Sequence, residues 1–157
     1  MRVGIGYDVH PLVAGRPLVL GGVTVTFGSG LQGHSDADVL THAIIDALLG
    51  AISLRDIGTH FPDADPQYKD ISSMTLLNRV GEMLHDRGFK IENIDATILC
   101  EQPRLANHID EMRRNICTAV AIDIEQVSVK ATTSAGLGFL GESRGIATHA
   151  VALVERK

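Results

Sequence analysis

Three side chains in the first third of the chain have the types and spacing of a zinc-binding group. Asp8 and His10 are two residues apart in a segment that alternates like a β-strand, so their side chains lie on one face. His42 falls in a segment with helical periodicity and is the natural third ligand. Two imidazoles and one carboxylate leave a fourth tetrahedral position open, which is typical of a catalytic zinc site. Spacing alone also allows the ordinary alternative, in which each histidine is a surface or hydrogen-bonded residue.

A second pair, His34 and Ser35, stands at the start of the same predicted helix. Ser35 is a favourable N-cap residue, and the free N–H groups at a helix N-terminus attract anions, so the pair is a candidate phosphate site. The alternative is that Ser35 only caps the helix. His34, Asp38 and His42 follow one another at intervals of four, which predicts a row of polar groups along one helix side.

Two further segments carry polar groups that suit a phosphorylated polyol. The aspartates between residues 54 and 66 could bind hydroxyl groups, but Asx turns explain them without a ligand, and on local grounds we favour the turns. Lys130, Thr132 and Thr133 end a predicted strand before a glycine-rich connection and offer donors to phosphate. The P-loop pattern is absent.

The hydrophobic pattern predicts the elements that must position these groups. Strands are predicted at 1–9, 91–101, 127–133 and 146–154, a hairpin at 17–27, and helices at 35–50, 72–87 and 108–121. We expect one α+β domain over residues 1–157, with a mixed sheet of four or five strands and helices on one face. The other face would carry Val3, Ile5 and Tyr7, so we expect self-association to cover it.

Composition excludes several classes of protein. The formal net charge of the 157 residues is -5 and basic residues form no run, which argues against a nucleic-acid partner. The longest apolar stretch is too short for a membrane span, and two cysteines make neither a disulfide framework nor a cysteine zinc site. The first residues lack a leader pattern, so we expect a cytoplasmic protein.

Taken together, these motifs resemble the family of 2-C-methyl-D-erythritol 2,4-cyclodiphosphate synthases, which act in the non-mevalonate pathway of isoprenoid (terpenoid) biosynthesis. The resemblance spreads in order over nearly the whole chain. Its blocks are G-Y-D-V-H at 6–10, G-H-S-D-A-D-V-L-T-H-A at 33–43, D-A-L-L-G at 46–50, D-I-G at 56–58, F-P-D-A-D-P at 61–66 and V-K-A-T-T at 129–133.

The resemblance implies a lyase that cyclises 4-diphosphocytidyl-2-C-methyl-D-erythritol 2-phosphate and releases CMP. It implies one Zn²⁺ per subunit on Asp8, His10 and His42, and Mg²⁺ or Mn²⁺ bridging the substrate phosphates. His34 and Thr133 are the implied catalytic residues. The implied substrate contacts are Ser35, Asp56, Ile57, Gly58, Phe61, Pro62, Asp63, Ala64, Asp65, Cys100, Pro103, Arg104, Leu105, Ala106, Thr132, Thr133 and Phe139. It also implies a homotrimer around a threefold axis, with active sites between adjacent subunits.

Two positions depart from the family pattern. Ala135 stands where the family usually has an acidic residue associated with Mg²⁺, and Glu142 precedes Arg144, whereas many members have the two charges in the opposite order. We hypothesise that Arg144 or His149 binds an isoprenoid diphosphate in the central cavity. Two other functions compete with the synthase, namely a zinc phosphohydrolase and a trimeric nucleotide-binding regulator.

Overall fold

The fold is an α+β arrangement, in a computed structural model that describes residues 1–157. The strands are β1 (Arg2–Ala14), β2 (Leu18–Leu20), β3 (Val23–Val25), β4 (Ser29–Leu31), β5 (Phe89–Leu99), β6 (Val127–Thr132) and β7 (Gly145–Arg156). The helices are α1 (Val39–Ala51), α2 (Ile57–His60), α3 (Ser73–Asp86), α4 (Ile109–Val120) and α5 (Gly138–Gly141). The predicted α+β class and mixed sheet are confirmed.

Five strands form the main sheet in the order β4-β1-β7-β5-β6. Only β5 and β6 are parallel, and the crossover between them contains α4, as a parallel connection requires. The two remaining strands, β2 and β3, pair as the hairpin that the sequence predicts. The carboxyl ends of β5 and β6 therefore lie side by side at one end of the sheet.

Strand β1 packs directly on α1 because glycines face the helix. A Cβ atom built on Gly6 would lie 1.8 Å from the carbonyl oxygen of Ala43, and one on Gly4 would lie 1.9 Å from that of Ala47. On the opposite face of the sheet, Val3 and Ile5 are 67% and 72% exposed. The helices thus cover one face of the sheet, and the other carries uncovered apolar side chains.

The prediction that α1 begins at Ser35 is wrong. The helix starts at Val39, and its N-cap is Asp38, whose carboxylate accepts hydrogen bonds from the N–H groups of Thr41, Gly21 and Gly22. This carboxylate is fully buried, and burial raises its pKa. It caps the helix and ties it to the β2–β3 hairpin at once, which Ser35 does not do. The helix also continues past the expected stop and ends at Ala51.

Four short elements were not predicted from the sequence. α2 and a 3₁₀ turn at Pro66–Tyr68 interrupt the expected loop, β4 has three residues, and α5 has four. α2 forms because the Asp56 side chain caps Thr59 N in the first turn. No helix in the structure is long and apolar enough to cross a membrane.

Candidate active site

The three predicted metal ligands meet where β1 lies against α1. Asp8 and His10 point from the same face of β1, and His42 lies in the first turns of the helix. The Oδ2 atom of Asp8 is 2.9 Å from Nε2 of His10 and 3.1 Å from Nδ1 of His42, and these two nitrogens are 3.3 Å apart. The close strand–helix contact at Gly6 brings the helix near enough for this meeting.

The geometry of this group fits zinc. Donor atoms that lie 2.0–2.1 Å from a tetrahedral zinc ion are about 3.3 Å from one another, and the three observed separations are close to that value. Burial raises the pKa of Asp8, but the hydrogen bonds and charges of His10 and His42 outweigh burial and hold this pKa well below its ordinary value. Burial lowers the pKa of His10, and the hydrogen bond and charge of Asp8 more than reverse that effect. Asp8 is therefore held as the carboxylate that a cation requires.

A second layer of hydrogen bonds orients the two imidazoles. Nδ1 of His10 donates to the carbonyl oxygen of Gln32 over 2.8 Å, which leaves Nε2 as the ligand atom. Nε2 of His42 lies 2.9 Å from Oγ of Ser73 and 3.2 Å from Oγ of Ser35. Because Nδ1 of His42 faces Asp8, its Nε2 carries the proton and donates to Ser73.

Sequence reasoning missed three members of this second layer, namely Gln32, Asp36 and Ser73. Oγ of Ser73 donates to the carboxylate of Asp36, which also accepts from the Ser73 N–H over 3.0 Å. The sequence offers a weak signal for Asp36, because this residue belongs to the H-S-D-A-D block. The same pattern, however, predicts that Asp36 is an acidic residue in the first turn of the helix. Ser73 gives no signal, because nothing in its neighbourhood reveals that it reaches His42.

A cavity of about 180 Å³ opens beside the metal ligands and gathers part of the predicted substrate loop. Its lining includes His34, Ser35, Ile57, Gly58, Phe61 and Asp63 together with the three ligands. Asp56, Pro62, Ala64 and Asp65 do not line it. The side chains of Asp56 and Asp65 instead cap Thr59 N and Gln67 N, as the Asx-turn interpretation expects. Among the aspartates of this loop, Asp63 alone faces the cavity.

The predicted polar row of His34, Asp38 and His42 is wrong, because only His42 lies within the helix. His34 precedes the helix, and its Nε2 donates to the carbonyl oxygen of Asp65 over 3.2 Å. Ser35 likewise does not cap the helix. Its hydroxyl instead accepts a hydrogen bond from Ala37 N and lies near His42. Both residues still line the cavity, from the bent segment that connects β4 to α1.

A second cavity, of about 800 Å³, lies at the carboxyl ends of β5 and β6. Its lining includes Cys100, Glu101, Pro103, Arg104, Leu105, Ala106, Lys130, Thr132 and Thr133. The two groups predicted to contact the nucleotide and the diphosphate thus share one cavity. Lys130 forms an ion pair with Asp95, which offsets its charge. Phe139 lines neither of these two cavities and is 45% exposed in α5.

Burial raises the pKa of the Cys100 thiol to about 11. At neutral pH this cysteine is therefore protonated and is a poor nucleophile. The cavity holds a further carboxylate, that of Glu101, whose Oε1 accepts a hydrogen bond from Ser134 N over 2.6 Å. This bond places Glu101 beside Ala135, at the end of the Thr132–Thr133 segment.

A mixed sheet with a carboxylate and two histidines converging beside a cavity defines an α+β protein with a candidate metal site. The model of the YgbB family matches residues 1–155, and the chain belongs to this family.

Curated relatives agree over their full length. The chain is 60% identical over 156 residues to the 2-C-methyl-D-erythritol 2,4-cyclodiphosphate synthase of Syntrophomonas wolfei, covering 99% of both proteins. It is 53% identical to the synthase of the same name from Clostridium botulinum, covering 99% of this chain and 100% of the relative. The resemblance drawn from the motifs is confirmed.

Solved structures show the same fold. The bifunctional IspDF of Campylobacter jejuni superimposes with a TM-score of 0.96 at 38% identity, over 99% of this chain and 42% of that protein. IspF of Plasmodium falciparum, solved as a CDP complex, gives a TM-score of 0.87 at 33% identity, over 99% of this chain and 96% of that one.

Proposed function

We propose that this chain is a 2-C-methyl-D-erythritol 2,4-cyclodiphosphate synthase. It would convert 4-diphosphocytidyl-2-C-methyl-D-erythritol 2-phosphate into the cyclic 2,4-diphosphate and CMP. The observation that carries the proposal is the convergence of Asp8, His10 and His42 beside a cavity that also holds His34 and Asp63. Relatives of this name that match over 99% of the chain support it.

The reaction needs no nucleophile from the protein. An oxygen of the substrate's own 2-phosphate attacks the β-phosphorus of its diphosphate, the bond from that phosphorus to the bridging oxygen breaks, and CMP departs with the electron pair. The protonated state of the Cys100 thiol agrees with this scheme. The work of the protein is then to fold a flexible polyanion so that two phosphates meet, and to stabilise the charge that develops.

The cations would be held by the chain and by the substrate together. Asp8, His10 and His42 would hold one Zn²⁺ per subunit, and zinc would act as a Lewis acid toward a phosphate oxygen. Mg²⁺ or Mn²⁺ would bridge the substrate phosphates, because these ions prefer phosphate oxygens. Glu101 is the carboxylate best placed to support that second ion, since Ser134 N holds it beside the Thr132–Thr133 segment.

His34 and Thr133 are the residues we assign to the phosphates during the reaction. The His34 ring is oriented by the Asp65 carbonyl, and it lines the cavity that contains the metal ligands. Thr133 lines the other cavity, with Thr132 and the segment from Cys100 to Ala106. The hydroxyls of Thr132 and Thr133 would donate to the diphosphate, and the 100–106 segment would contact the cytidine part.

We propose a homotrimer in which each active site combines the two cavities from adjacent subunits. The two cavities have no lining residue in common, which supports a substrate site completed by a neighbouring chain. The uncovered apolar face of the sheet, with Val3, Ile5 and Val151 exposed, supports association around a threefold axis. Each chain would fold as one domain over residues 1–157, because its buried core extends from Leu18 to Val154. The cytoplasmic location stays a prediction.

The central cavity of such a trimer would be lined by the exposed side of the sheet. His149 lies on that side and packs against Tyr7 with the two rings tilted and their centroids 4.8 Å apart. Arg144 is near Glu142, at 3.6 Å, in an exposed ion pair. Either side chain could receive an isoprenoid diphosphate there. If such diphosphates neither bind nor stabilise the trimer, this part of the proposal is wrong.

The deciding experiment follows the reaction by ³¹P NMR with the purified protein, Zn²⁺ and Mg²⁺. We expect a cyclic diphosphate and CMP from the wild type and from His85→Ala, which removes an exposed histidine of α3. His42→Ala should lose both turnover and bound zinc. Inorganic phosphate without a cyclic product would instead indicate a phosphohydrolase, and nucleotide binding without turnover would indicate a regulator.

A further inference from the structure

Three arginines and one aromatic ring line a cavity at the end of the sheet that lies away from the metal ligands. The guanidinium carbons of Arg2 and Arg156 are 5.9 and 5.8 Å from the centroid of the Phe89 ring. Arg87, just before β5, lines the same cavity of about 520 Å³. Strand pairing brings Arg2, Phe89 and Arg156 close together, because Phe89 is opposite Arg156 and Arg2 is opposite Val154.

These guanidinium groups are oriented by neutral partners only. Arg2 donates to the Ser53 hydroxyl over 3.0 Å, and Arg87 donates to the Met83 carbonyl over 3.4 Å. None of the three has a carboxylate within 4.0 Å, although ion pairs occur elsewhere on the surface. In a chain of net charge -5, three unpaired cations around one cavity repel one another and attract an anion.

The cluster lies apart from both the candidate active site and the proposed trimer interface. Arg2 has the same strand parity as Gly4 and Gly6, which face the helix, whereas the apolar interface face carries the odd-numbered residues of β1. At 3.3 Å per residue, Arg2 is about 20 Å along the strand from Asp8. The cluster would therefore remain open to solvent in a trimer built on the opposite face.

We infer that Arg2, Arg87 and Arg156 form a binding site for small soluble anions that carry a diphosphate group. The N–H groups of a guanidinium bind phosphate oxygens in pairs, and contact with the Phe89 ring holds the guanidinium groups of Arg2 and Arg156 in place before the ligand arrives. Three guanidinium groups match the several charges of a diphosphate better than the single charge of a carboxylate. The cavity has room for a ligand of that size.

Isothermal titration with inorganic diphosphate at low salt tests the site in the full chain without turnover. The active-site variant His34→Ala/Thr133→Ala, extended by Arg144→Gln/His149→Gln, is designed to remove competing binding in the catalytic cavities and in the proposed central cavity. In that background we expect one remaining site, whose affinity falls at least tenfold in Arg87→Gln/Arg156→Gln and falls steeply with added salt. The matched control Arg114→Gln removes an exposed arginine of α4 outside the cluster and should leave the affinity unchanged.

Three outcomes would overturn the inference. Diphosphate binding could disappear entirely in the active-site variant, or it could persist unchanged in Arg87→Gln/Arg156→Gln. Co-sedimentation with phosphatidylglycerol vesicles that depends on the same two arginines, without binding of free diphosphate, would assign the cluster to lipid headgroups instead. If the glutamine variant does not fold, Arg87→Lys/Arg156→Lys keeps the charge, loses the guanidinium groups, and should still weaken binding severalfold.

Discussion

Replacing Ser73 with alanine should weaken zinc binding without touching a ligand. The Ser73 side chain is fully buried and accepts the hydrogen bond from Nε2 of His42, while its own hydroxyl proton goes to Asp36. Ser73→Ala removes one oxygen atom and leaves Nε2 of His42 with a single, longer contact, to Ser35. The imidazole then loses the partner that fixes its orientation and raises its basicity as a ligand.

The expected size of the effect follows from this role. Loss of an outer partner of a ligating histidine lowers metal affinity by about 10- to 100-fold, or about 1.4–2.8 kcal/mol at 1.4 kcal/mol per tenfold. The assay is competition for Zn²⁺ between the apo protein and a chromophoric chelator. Ser72→Ala is the matched control, because Ser72 is the adjacent N-cap of α3 and its side chain makes no capping hydrogen bond.

A purely structural role for Ser73 would give a different result. In that case Ser73→Ala would lower the melting temperature of the apo protein, while zinc affinity stayed within twofold of wild type. Ser73→Thr keeps a hydroxyl and should recover most of the affinity if its methyl group is accommodated. Unchanged zinc affinity in Ser73→Ala, with an apo protein as stable as wild type, would refute the hydrogen-bond argument altogether.

Three other predictions rest on different parts of the chain. In urea unfolding, Gly6→Ala should destabilise the fold by about 3 kcal/mol or more, because its Cβ would meet the Ala43 carbonyl. The control Gly50→Ala, whose Cβ would be 3.9 Å from the nearest atom, the Ile5 carbonyl oxygen, should be neutral or slightly stabilising. At pH 9, alkylation of Cys100, measured by mass spectrometry, should be at least about 50-fold slower in the folded than in the urea-unfolded chain, because burial raises the thiol pKa from 9.0 to about 11. The alkylation rate of the folded chain should rise as the pH approaches that value. Equal rates in the folded and unfolded chains would contradict the burial argument. Glu101→Gln keeps an acceptor for Ser134 N but removes the charge, so the Mg²⁺ concentration for half-maximal turnover should rise about tenfold by loss of a charged ligand. Ala135→Glu in that variant should restore the wild-type Mg²⁺ requirement. An unchanged requirement in Glu101→Gln would exclude Glu101 from this role.

Local patterns in the sequence predicted most of the regular elements, and also the face of β1 that the helices leave uncovered. The alternation in β1 puts Asp8 and His10 on one side and the apolar residues Val3 and Ile5 on the other, as predicted, and the glycines point into the fold. An isolated strand pattern favours the reverse, because it assumes that apolar side chains fill the core. Here the helix itself fills that space, so the strand needs glycine to approach it.

The start of α1 shows a limit of local reasoning. Ser35, Asp36 and Asp38 are all good cap residues, and the sequence gives no reason to prefer the last. Asp38 is preferred because the β2–β3 hairpin supplies two more donors, Gly21 N and Gly22 N, from a distant part of the chain. The shift frees Ser35 and Asp36 to act on His42 directly or through Ser73, which is how these second-layer contacts escaped prediction.

The division of the candidate site into two cavities links chemistry to assembly. β7 lies between β1, which carries Asp8 and His10, and β5–β6, where Thr132 ends β6 and Thr133 follows it, so the sheet itself separates these groups within one chain. A substrate that must reach His34 and Thr133 together would then have to span two copies of the chain. The uncovered apolar face therefore has a functional role in this proposal, because the same association that buries it would also complete the substrate site.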